Sequence, residues 1–462
     1  MSQAPLWTSQ AAARALGLQP VGSWAAESVE IDSRQVRAGA LFVAIVGDRL
    51  DGHDYVAAAF AAGAVAAVVH RTPKDVAADD PRLLTVADSL RGLEALAIAA
   101  RKRTAAQVVA VTGSVGKTGT KEMLRLALGG LGACHASMGN LNNHWGAPLS
   151  LARMPQDVGF AAIELGMNHA GELRPLTRMV RPDVAVVTRI APAHTAFFDS
   201  IEAVADAKAE IFEGLSDDGV AVLNADDSLT ERLAAKAAPR RILRFGEAAG
   251  ADIRLTGLEL AEAGSTVAAD VLGQPVRWRL GAAGRHWAMN SLAVMGAVAA
   301  LGGDLDAAAA ALAATKAPAG RGERRTAGRI DLIDESYNAS PAAVRAAFAA
   351  LALARPAPGG RRVVVLGDML ELGERTDADH AGLGEAFIQA KLDRAHGAGR
   401  ATRHFMQALP DAACGIWEPD AAALAARAGE MVAAGDVVLV KGSLGMGMAQ
   451  VVQALEGAGR AL

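Results

Sequence analysis

The chain is poor in cysteine, in aromatic residues and in excess charge of either sign. Its 462 residues include only two cysteines, and aromatic side chains make up 4% of the total. Two thiols as distant as Cys134 and Cys414 form neither a disulfide framework nor a zinc site, which is typical of a reducing cytosol. The net charge is −4 and no block of Lys and Arg stands out. We therefore expect no nucleic-acid-binding surface.

Long apolar runs are also absent. The N-terminus lacks the basic segment and following apolar segment of a secretory signal. Apolar stretches such as residues 292–301 are rich in Ala and Gly and too short to cross a bilayer. These absences predict a cytoplasmic protein without membrane insertion. Hydrophobic residues still make up 52% of the chain, which is enough for several cores.

The most informative segment is residues 108–118, where an apolar run meets a turn of small residues and a Lys-Thr pair. This pattern predicts a strand, a phosphate-binding loop and a helix N-terminus, although Val111 stands where the usual motif has Gly. Small residues let backbone N–H groups approach a polyphosphate. Lys117 would neutralise charge on the outer phosphates, and the Thr118 hydroxyl would hold Mg²⁺. The candidate nucleotide-binding residues of this loop are Gly113, Ser114, Val115, Gly116, Lys117, Thr118 and Gly119.

Three α/β segments follow one another along the chain. Residues 1–86 alternate short β-like runs with one helical stretch, and we assign them to a small N-terminal domain. Residues 87–318 begin with an amphipathic helix and repeat strand–turn–helix units. Their near-continuous Val, Ala and Ile runs are typical of a parallel sheet covered on both faces. Residues 319–462 contain three more such strands, each followed by Asp, Gly or Lys, and predict a second α/β domain with ligands at the strand ends.

Four further residues of the middle segment are candidates for the same site. Glu164 ends an apolar run, and a carboxylate at the carboxyl end of a strand beside a phosphate loop suits Mg²⁺. His194 follows the next strand, where a hydrogen-bonded turn residue is the ordinary interpretation. Lys208 lies on a predicted helix, where a surface lysine is the ordinary interpretation. Asn290 opens another predicted helix and would either face an adenine or act only as a cap.

The ordered set of motifs resembles that of the Mur ligases, ATP-dependent amide-forming enzymes of bacterial cell-wall synthesis. The likeness spans nearly the whole chain and favours the branch that adds D-Ala-D-Ala. The motifs are Asp-Ser-Arg-Gln-Val (residues 32–36), Gly-Ala-Leu-Phe-Val-Ala (39–44), the phosphate loop continued by Lys121-Glu122, Asn-Leu-Asn-Asn-His-Trp-Gly (140–146), Glu-Leu-Gly-Met-Asn-His (164–169), Gly-Arg-Gly (320–322), Asp-Glu-Ser-Tyr-Asn-Ala-Ser-Pro (334–341), Leu-Gly-Asp-Met-Leu-Glu-Leu-Gly (366–373) and Lys-Gly-Ser (441–443).

The resemblance implies a three-domain α/β fold. Its parts are a small N-terminal substrate domain, a central P-loop domain on a parallel sheet, and a C-terminal Rossmann-like domain. The implied cofactors are ATP and Mg²⁺, and the implied substrates are UDP-MurNAc-tripeptide and D-Ala-D-Ala. We expect a monomer. The UDP-sugar would bind to the first domain and the peptide to the Asn-rich loop. The corresponding substrate-binding residues are Ser33, Arg34, Gly47, Asp51, His53, Asn142 and Asn143.

The resemblance also assigns roles to the weaker candidates. It implies that CO₂ carbamylates Lys208, which turns a cation into a carboxylate that helps to bind a second Mg²⁺. Asn290 would meet the adenine, and Arg321 and Asp334 would reach the nucleotide from the third segment. The implied catalytic residues are Lys117, Lys208 and His194, and the implied metal ligands are Thr118, Glu164, His194 and Lys208.

Three positions depart from the family pattern. Thr195-Ala196 follows His194 where Leu-Glu is frequent, Trp287 follows His286 where Asn is frequent, and Gly119 is unusual in a first helical turn. Alternative functions are a sister ligase that adds the third stem residue, folylpolyglutamate synthase, and a P-loop binding protein without ligase activity. The Asn-rich loop and the Lys121-Glu122 pair favour the D-Ala-D-Ala branch over the first two. The missing Asn-Lys-x-Asp motif argues against a GTPase switch.

Overall fold

The computed structural model describes residues 4–191 and 198–462. The first of three lobes is built on a four-stranded parallel sheet, which a short antiparallel pair precedes. Strands β4 and β5 are buried along their whole length because helices cover both faces, and their apolar runs are accordingly continuous. The elements of this lobe are β1 (Trp7–Thr8), α1 (Ser9–Leu16), β2 (Ala25–Ala26), β3 (Ser28–Glu30), β4 (Ala40–Val43), α2 (Val56–Ala61), β5 (Ala66–Val69) and β6 (Leu83–Thr85).

Helix α3 (Ser89–Arg103) joins the first lobe to the second. Its N-terminus is capped by Asp88, whose carboxylate accepts hydrogen bonds from the Leu90 and Arg91 N–H groups. Leu93 and Leu96 pack into the core of the first lobe, whereas another face of the helix reaches the core of the second. The helix therefore belongs to both cores, and the boundary at residue 86 stays a prediction.

The second lobe is a nine-stranded sheet in the order β15-β14-β13-β12-β11-β10-β7-β9-β8. Strands β7 to β12 are all parallel, so their carboxyl ends meet at one edge of the sheet. Ligands of α/β sheets bind at this edge. Its strands are β7 (Gln107–Thr112), β8 (Cys134–Ala136), β9 (Phe160–Glu164), β10 (Val184–Val187), β11 (Val220–Asn224), β12 (Arg241–Gly246), β13 (Ile253–Ala261), β14 (Gly264–Val271) and β15 (Gln274–Leu280).

The helices of the second lobe cover both faces of this sheet, which explains the buried Val and Ala runs of its parallel strands. No described helix has the length and apolar character that crossing a bilayer requires. The helices are α4 (Lys117–Gly129), α5 (Gly146–Ala152), α6 (Leu173–Val180), α7 (Ile201–Ala209), α8 (Thr230–Ala237), α9 (Arg285–Ala300) and α10 (Leu305–Ala311).

The antiparallel part of this sheet was not predicted. Strands β13, β14 and β15 form an antiparallel meander on its edge. The β14–β15 turn is a two-residue turn in which Leu272 and Gly273 both have positive φ angles, 54° and 88°. Strand β15 alternates buried and exposed residues, which is the pattern of a strand with one solvated face. The prediction relied on continuous apolar runs and therefore missed these strands.

The third lobe is a six-stranded sheet in the order β16-β17-β21-β18-β19-β20, with only β16 antiparallel to its neighbour. The crossover that inserts β21 between β17 and β18 creates a switch point at their carboxyl ends. Its elements are β16 (Glu323–Ala327), β17 (Ile330–Glu335), α11 (Pro341–Ala352), β18 (Arg362–Gly367), α12 (Thr376–Ala381), α13 (Leu383–Gln389), β19 (Arg394–Ala398), α14 (Thr402–Gln407), β20 (Cys414–Glu418), α15 (Ala421–Ala426), α16 (Ala428–Met431), β21 (Val437–Lys441) and α17 (Ala449–Ala461).

Candidate functional site

The loop between β7 and α4 requires two glycines. Gly113 has φ of 149°, and a Cβ atom there would lie 1.9 Å from the Thr188 Oγ1 atom. Gly116 has φ of 88° and directly precedes α4; a Cβ atom there would lie 2.7 Å from the Asn290 Nδ2 atom. Both positions therefore exclude a side chain by conformation and by space. The loop aims the N-terminus of α4 at the carboxyl edge of the sheet, where an anion would meet the helix dipole.

Several buried oxygens around this loop have no hydrogen-bond partner among residues 4–191 and 198–462. They include Ser114 Oγ, Thr118 Oγ1 and one carboxylate oxygen, Oε2, of Glu164. Glu164 is only 1% exposed and is paired across the sheet with Val111, just before the loop. Buried polar atoms normally have partners, so an unsatisfied group of them indicates a place where a ligand completes the bonding. Hydroxyl and carboxylate oxygens are the donors that Mg²⁺ prefers.

Asn142 and Asn143 bring the Asn-rich loop to this site. Asn142 Nδ2 donates to Glu164 Oε1 at 2.7 Å, which orients the carboxylate and leaves Oε2 for a ligand. Asn143 Oδ1 accepts from the Gly146 N–H at 2.9 Å and so fixes the start of α5. Both side chains thus have partners within the protein, and their roles in substrate binding stay predictions.

Two lysines approach the phosphate loop. Lys117 Nζ donates to the Gly113 carbonyl oxygen at 2.7 Å. Burial lowers its pKa, Glu164 opposes that shift, and the nearby Arg321 adds to it. Lys208, on α7, is 1% exposed, and its pKa lies well below the usual range because of burial and the charge of Lys117. Among the described residues none forms a hydrogen bond or an ion pair with Lys208 Nζ. His194 and the Thr195-Ala196 departure lie outside the described residues.

The third lobe contacts the second beside the loop. Arg321 is near enough to the phosphate loop for its positive charge to help lower the pKa of Lys117. The Arg321 guanidinium makes a cation–π contact with Tyr337: its Cζ atom lies 4.1 Å from the centroid of the ring. Asp334 Oδ1 accepts from the Ser336 N–H at 3.0 Å and from Ser336 Oγ at 2.6 Å, so this carboxylate is held at the end of β17.

An ion pair that sequence analysis did not assign lies at the same interface. Lys441 Nζ is 2.6 Å from Glu335 Oε2 and donates to the Asn338 carbonyl oxygen at 2.8 Å. His286, at the start of α9 in the second lobe, faces both charges; burial lowers its pKa, Glu335 raises it and Lys441 lowers it. In the sequence, only the Lys-Gly-Ser motif at residues 441–443 pointed to Lys441. The family resemblance included this motif but gave its lysine no role.

The candidate residues of the first lobe lie in two capped turns. Asp51 caps the 3₁₀ turn Gly52–Tyr55 and binds Arg71 Nη2 at 2.7 Å. His53 is 1% exposed: its Nε2 accepts from the His70 N–H at 3.1 Å, so the proton on Nδ1 is donated to Asp51 Oδ1 at 2.6 Å. His53 therefore connects the turn capped by Asp51 to the backbone of His70.

The other turn holds Ser33 and Arg34, which Asp32 caps. The Arg34 side chain is 87% exposed and pairs with Asp32 at 2.7 Å, so it is accessible to an anionic ligand. Gly47 lies in a tight loop whose backbone N–H donates to the Leu50 carbonyl oxygen at 2.9 Å. The proposed substrate contacts of these residues stay predictions.

Comparisons with known proteins agree with this geometry. The sequence matches three family models in turn: "Mur ligase family, catalytic domain" over residues 26–104, "Mur ligase middle domain" over 111–298 and "Mur ligase, glutamate ligase domain" over 320–444. A UDP-N-acetylmuramoyl-tripeptide–D-alanyl-D-alanine ligase from Escherichia coli K12 is 37% identical over 93% of this chain and 94% of that protein. The chain belongs to the Mur ligase family.

Other members of this Mur ligase family are similar over their whole length. The ligase of the same name from Bacillus subtilis is 33% identical, with 92% of each chain covered. A crystal structure of MurF from Acinetobacter baumannii superimposes with a TM-score of 0.85 at 29% identity, covering 98% of this chain and 99% of that one. MurF from Thermotoga maritima, solved with ADP, gives 0.78 at 28% identity, covering 94% and 98%. The expected three-domain α/β fold is thereby confirmed.

Proposed function

We propose that this Mur ligase joins D-Ala-D-Ala to UDP-MurNAc-tripeptide, consuming ATP and giving the pentapeptide precursor of peptidoglycan. Full-length relatives with this activity in their names, and an ADP-bound structural relative, support the assignment. The observation that carries it is the group of buried, unpartnered oxygens around the phosphate loop, next to Lys117. We further propose that the enzyme acts in the cytoplasm as a monomer, with domains at residues 1–86, 87–318 and 319–462.

The chemical problem is that a carboxylate and an amine do not condense in neutral water. In the proposed reaction, an oxygen of the substrate carboxylate attacks the γ-phosphorus of ATP, the bond to ADP breaks, and an acyl phosphate forms. The amine of D-Ala-D-Ala then attacks the acyl carbon and loses a proton, and inorganic phosphate leaves with the former carboxylate oxygen. The first step brings two anions together, so neutralisation of charge is the main requirement. Lys117 and the N-terminus of α4 supply positive charge there.

The donors of this site fit Mg²⁺, which the family implies. Thr118 Oγ1 and Glu164 Oε2 are buried, lack partners in the described part of the chain and are hard oxygen donors. When bound, the ion would neutralise phosphate charge as a Lewis acid. Asn142 keeps the Glu164 carboxylate in place for this purpose. We propose that His194 and a carbamylated Lys208 complete the metal sites.

Carbamylation of Lys208 is supported by its surroundings. A buried lysine without a carboxylate partner is unfavourable as a cation. Reaction of its neutral amine with CO₂ forms an N–C bond, releases a proton and leaves a carbamate whose single negative charge is shared by two oxygens. A negative group at this position would attract Lys117 and a metal ion, whereas the ammonium form repels Lys117.

The third lobe is proposed to complete the nucleotide pocket. The charge of Arg321 helps to lower the pKa of Lys117, and Asp334 is held at the end of β17 by Ser336. Asn290 lies against Gly116 and would contact the nucleotide from α9. Because an acyl phosphate is hydrolysed by water, covering the site with the third lobe protects the intermediate. The exposed Arg34 and the loop around Asp51 would bind the UDP-sugar in the first lobe.

The experiment that tests this function is phosphate release by the purified chain with MgATP and each combination of substrates. Continuous release is expected only with UDP-MurNAc-tripeptide and D-Ala-D-Ala together. A ligase for the third stem residue would instead consume UDP-MurNAc-dipeptide and a diamino acid, and folylpolyglutamate synthase would consume a folate and glutamate. A non-catalytic P-loop protein would ignore the dipeptide. Activity confined to any of these other mixtures would overturn the proposal.

A further inference from the structure

Two departures from the family pattern contact each other in the fold. Gly119 lies in the first turn of α4, although glycine is a poor helix former. A Cβ atom built on Gly119 would lie 2.9 Å from Cζ3 and 3.0 Å from Cη2 of Trp287, the outer atoms of the indole ring. Real Cβ atoms do not approach other atoms so closely, so the ring occupies the space that a side chain at position 119 would need.

The indole ring has little room to move away. Trp287 is 5% exposed and belongs to the main core of the second lobe, beside the fully buried Ala288 and Leu292 on the same helix. A densely packed interior resists displacement of a rigid ring. Three residues further along α9, the Asn290 amide lies against Gly116, where a Cβ atom would be 2.7 Å from its nitrogen. Helix α9 therefore contacts the phosphate loop at Gly116 and the first turn of α4 at Gly119.

We infer that Trp287 and Gly119 are a matched pair that positions the phosphate loop for the nucleotide. The inference rests on the proposed function. Gly119 directly follows Lys117 and Thr118, whose side chains are proposed to contact phosphate and metal. The indole ring of Trp287 packs against the backbone of Gly119, and this contact sets the separation between α9 and the first turn of α4. Trp287 is thus a positioning residue, acting through the loop and through the placement of Asn290.

Gly119→Ala tests the pair, with Gly129→Ala as its matched control. Gly129 lies in the same helix, and a Cβ atom there would meet nothing within 4 Å. We expect Gly119→Ala to weaken the binding of MgADP, measured by titration calorimetry, by about ten-fold, since sub-ångström displacements of binding groups carry large penalties. Gly129→Ala should bind MgADP as the unaltered protein does. KM for the two peptide substrates should change little in either variant.

Trp287→Phe supplies the rescue. Phenylalanine keeps an aromatic ring but lacks the outer atoms that approach position 119. The double variant Gly119→Ala/Trp287→Phe should therefore bind MgADP more tightly than Gly119→Ala alone. Should Gly119→Ala fail to fold, Trp287→Phe alone carries the test, because the gap it leaves should raise KM for ATP and not KM for the peptides.

Three results would overturn the inference while leaving the proposed function intact. One is normal MgADP binding by Gly119→Ala. Another is failure of Trp287→Phe to relieve the defect, which would show that the ring is not its cause. The third is a parallel loss for all three substrates with lowered thermal stability, as expected of a purely structural pair. If the unaltered protein itself binds no MgADP, the proposed function fails, and the inference with it.

Discussion

At the scale of single residues, the proposed site is recognised by buried polar atoms that lack hydrogen-bond or ion-pair partners among the described residues. Thr118 Oγ1 and Glu164 Oε2 are buried without partners, and Lys208 is a buried amine that the described residues leave without an ion pair. Each of these costs free energy in the protein alone. A bound nucleotide and metal would satisfy the two oxygens, and carbamylation would make Lys208 a partner for the metal. We therefore propose that these residues, which come from three separate elements, form one binding site.

Lys117→Ala should strongly slow the first chemical step while sparing substrate binding. The variant removes the positive charge that lies against the loop, at 2.7 Å from the Gly113 carbonyl oxygen. Loss of one such charge should lower kcat by about 10²–10³-fold. ADP formation measures the effect, and calorimetric binding of UDP-MurNAc-tripeptide serves as the control. Turnover close to that of the unaltered enzyme would remove Lys117 from its assigned role.

Lys208→Ala should be nearly inactive and partly rescued by short carboxylates such as acetate, which can replace the carbamate group. Lys236→Ala is the matched control, because Lys236 lies on the adjacent helix α8 with its side chain 54% exposed. That control should keep full activity. Full activity of Lys208→Ala without additives would show that this lysine has no part in the site.

Much of the site at this scale was predictable, because its motif is local. Gly113, Gly116, Lys117 and Thr118 are neighbours in sequence, so the sequence alone indicates a phosphate loop. The contact of Asn142 with Glu164 and that of Trp287 with Gly119 join residues distant in sequence. The sequence showed Trp287 and Gly119 as two separate irregularities, and only the fold reveals that they touch.

At the scale of elements, helices and buried parallel strands were predictable and the antiparallel edge was not. Strands β7, β9 and β10 follow from their continuous apolar runs, because both faces of the sheet are covered. Strands β13 to β15 have one solvated face and alternate instead, as Val276, Trp278 and Leu280 do. This alternation is present in the sequence. It was missed because charged residues interrupt the apolar ones, and the prediction relied on continuous apolar runs.

His396, on strand β19, makes the free energy of unfolding depend on pH. Burial lowers the pKa of His396 from 6.5 to about 4, and its Nδ1 accepts from the Ile416 N–H at 3.0 Å. Between these pH values the unfolded chain binds a proton that the folded chain does not, so stability falls as pH decreases from 6.5 to 4 and levels off below. The loss amounts to about 3 kcal/mol at most.

His396→Asn isolates this contribution, since Asn keeps an acceptor near the position of Nδ1 but does not titrate. Other buried histidines titrate equally in both proteins. The decrease of Tm between pH 6.5 and 4.5 should therefore be smaller in His396→Asn than in the unaltered chain. Equal decreases would show that His396 is protonated in the folded state as readily as in the unfolded one.

At the scale of the whole molecule, the third lobe lies against the second beside the proposed nucleotide site. The charge of Arg321 helps to lower the pKa of Lys117, and the charges of Glu335 and Lys441 act on the pKa of His286 in opposite directions. Helix α11 also approaches the start of α9: a Cβ atom on Gly284 would lie 3.7 Å from Ala350 Cβ. The order of the lobes was predictable from sequence, whereas these contacts depend on packing between distant segments.

Ala350→Arg should hold the third lobe away from the second. We expect kcat to fall by about ten-fold and more ATP to be hydrolysed per peptide bond formed, because water reaches the acyl phosphate. Ala349→Arg, on the exposed side of the same helix, is the control and should leave both quantities unchanged. The ratio of phosphate released to pentapeptide formed is the measurement. Unchanged coupling in Ala350→Arg would show that this contact does not exclude water.

The most direct test of the central claim follows one oxygen atom. UDP-MurNAc-tripeptide labelled with ¹⁸O in its reacting carboxylate is incubated with the enzyme, MgATP and D-Ala-D-Ala, and the released phosphate is analysed by mass spectrometry. If the site phosphorylates that carboxylate, one ¹⁸O atom passes into each phosphate molecule formed. Unlabelled phosphate alongside labelled peptide product would contradict the account.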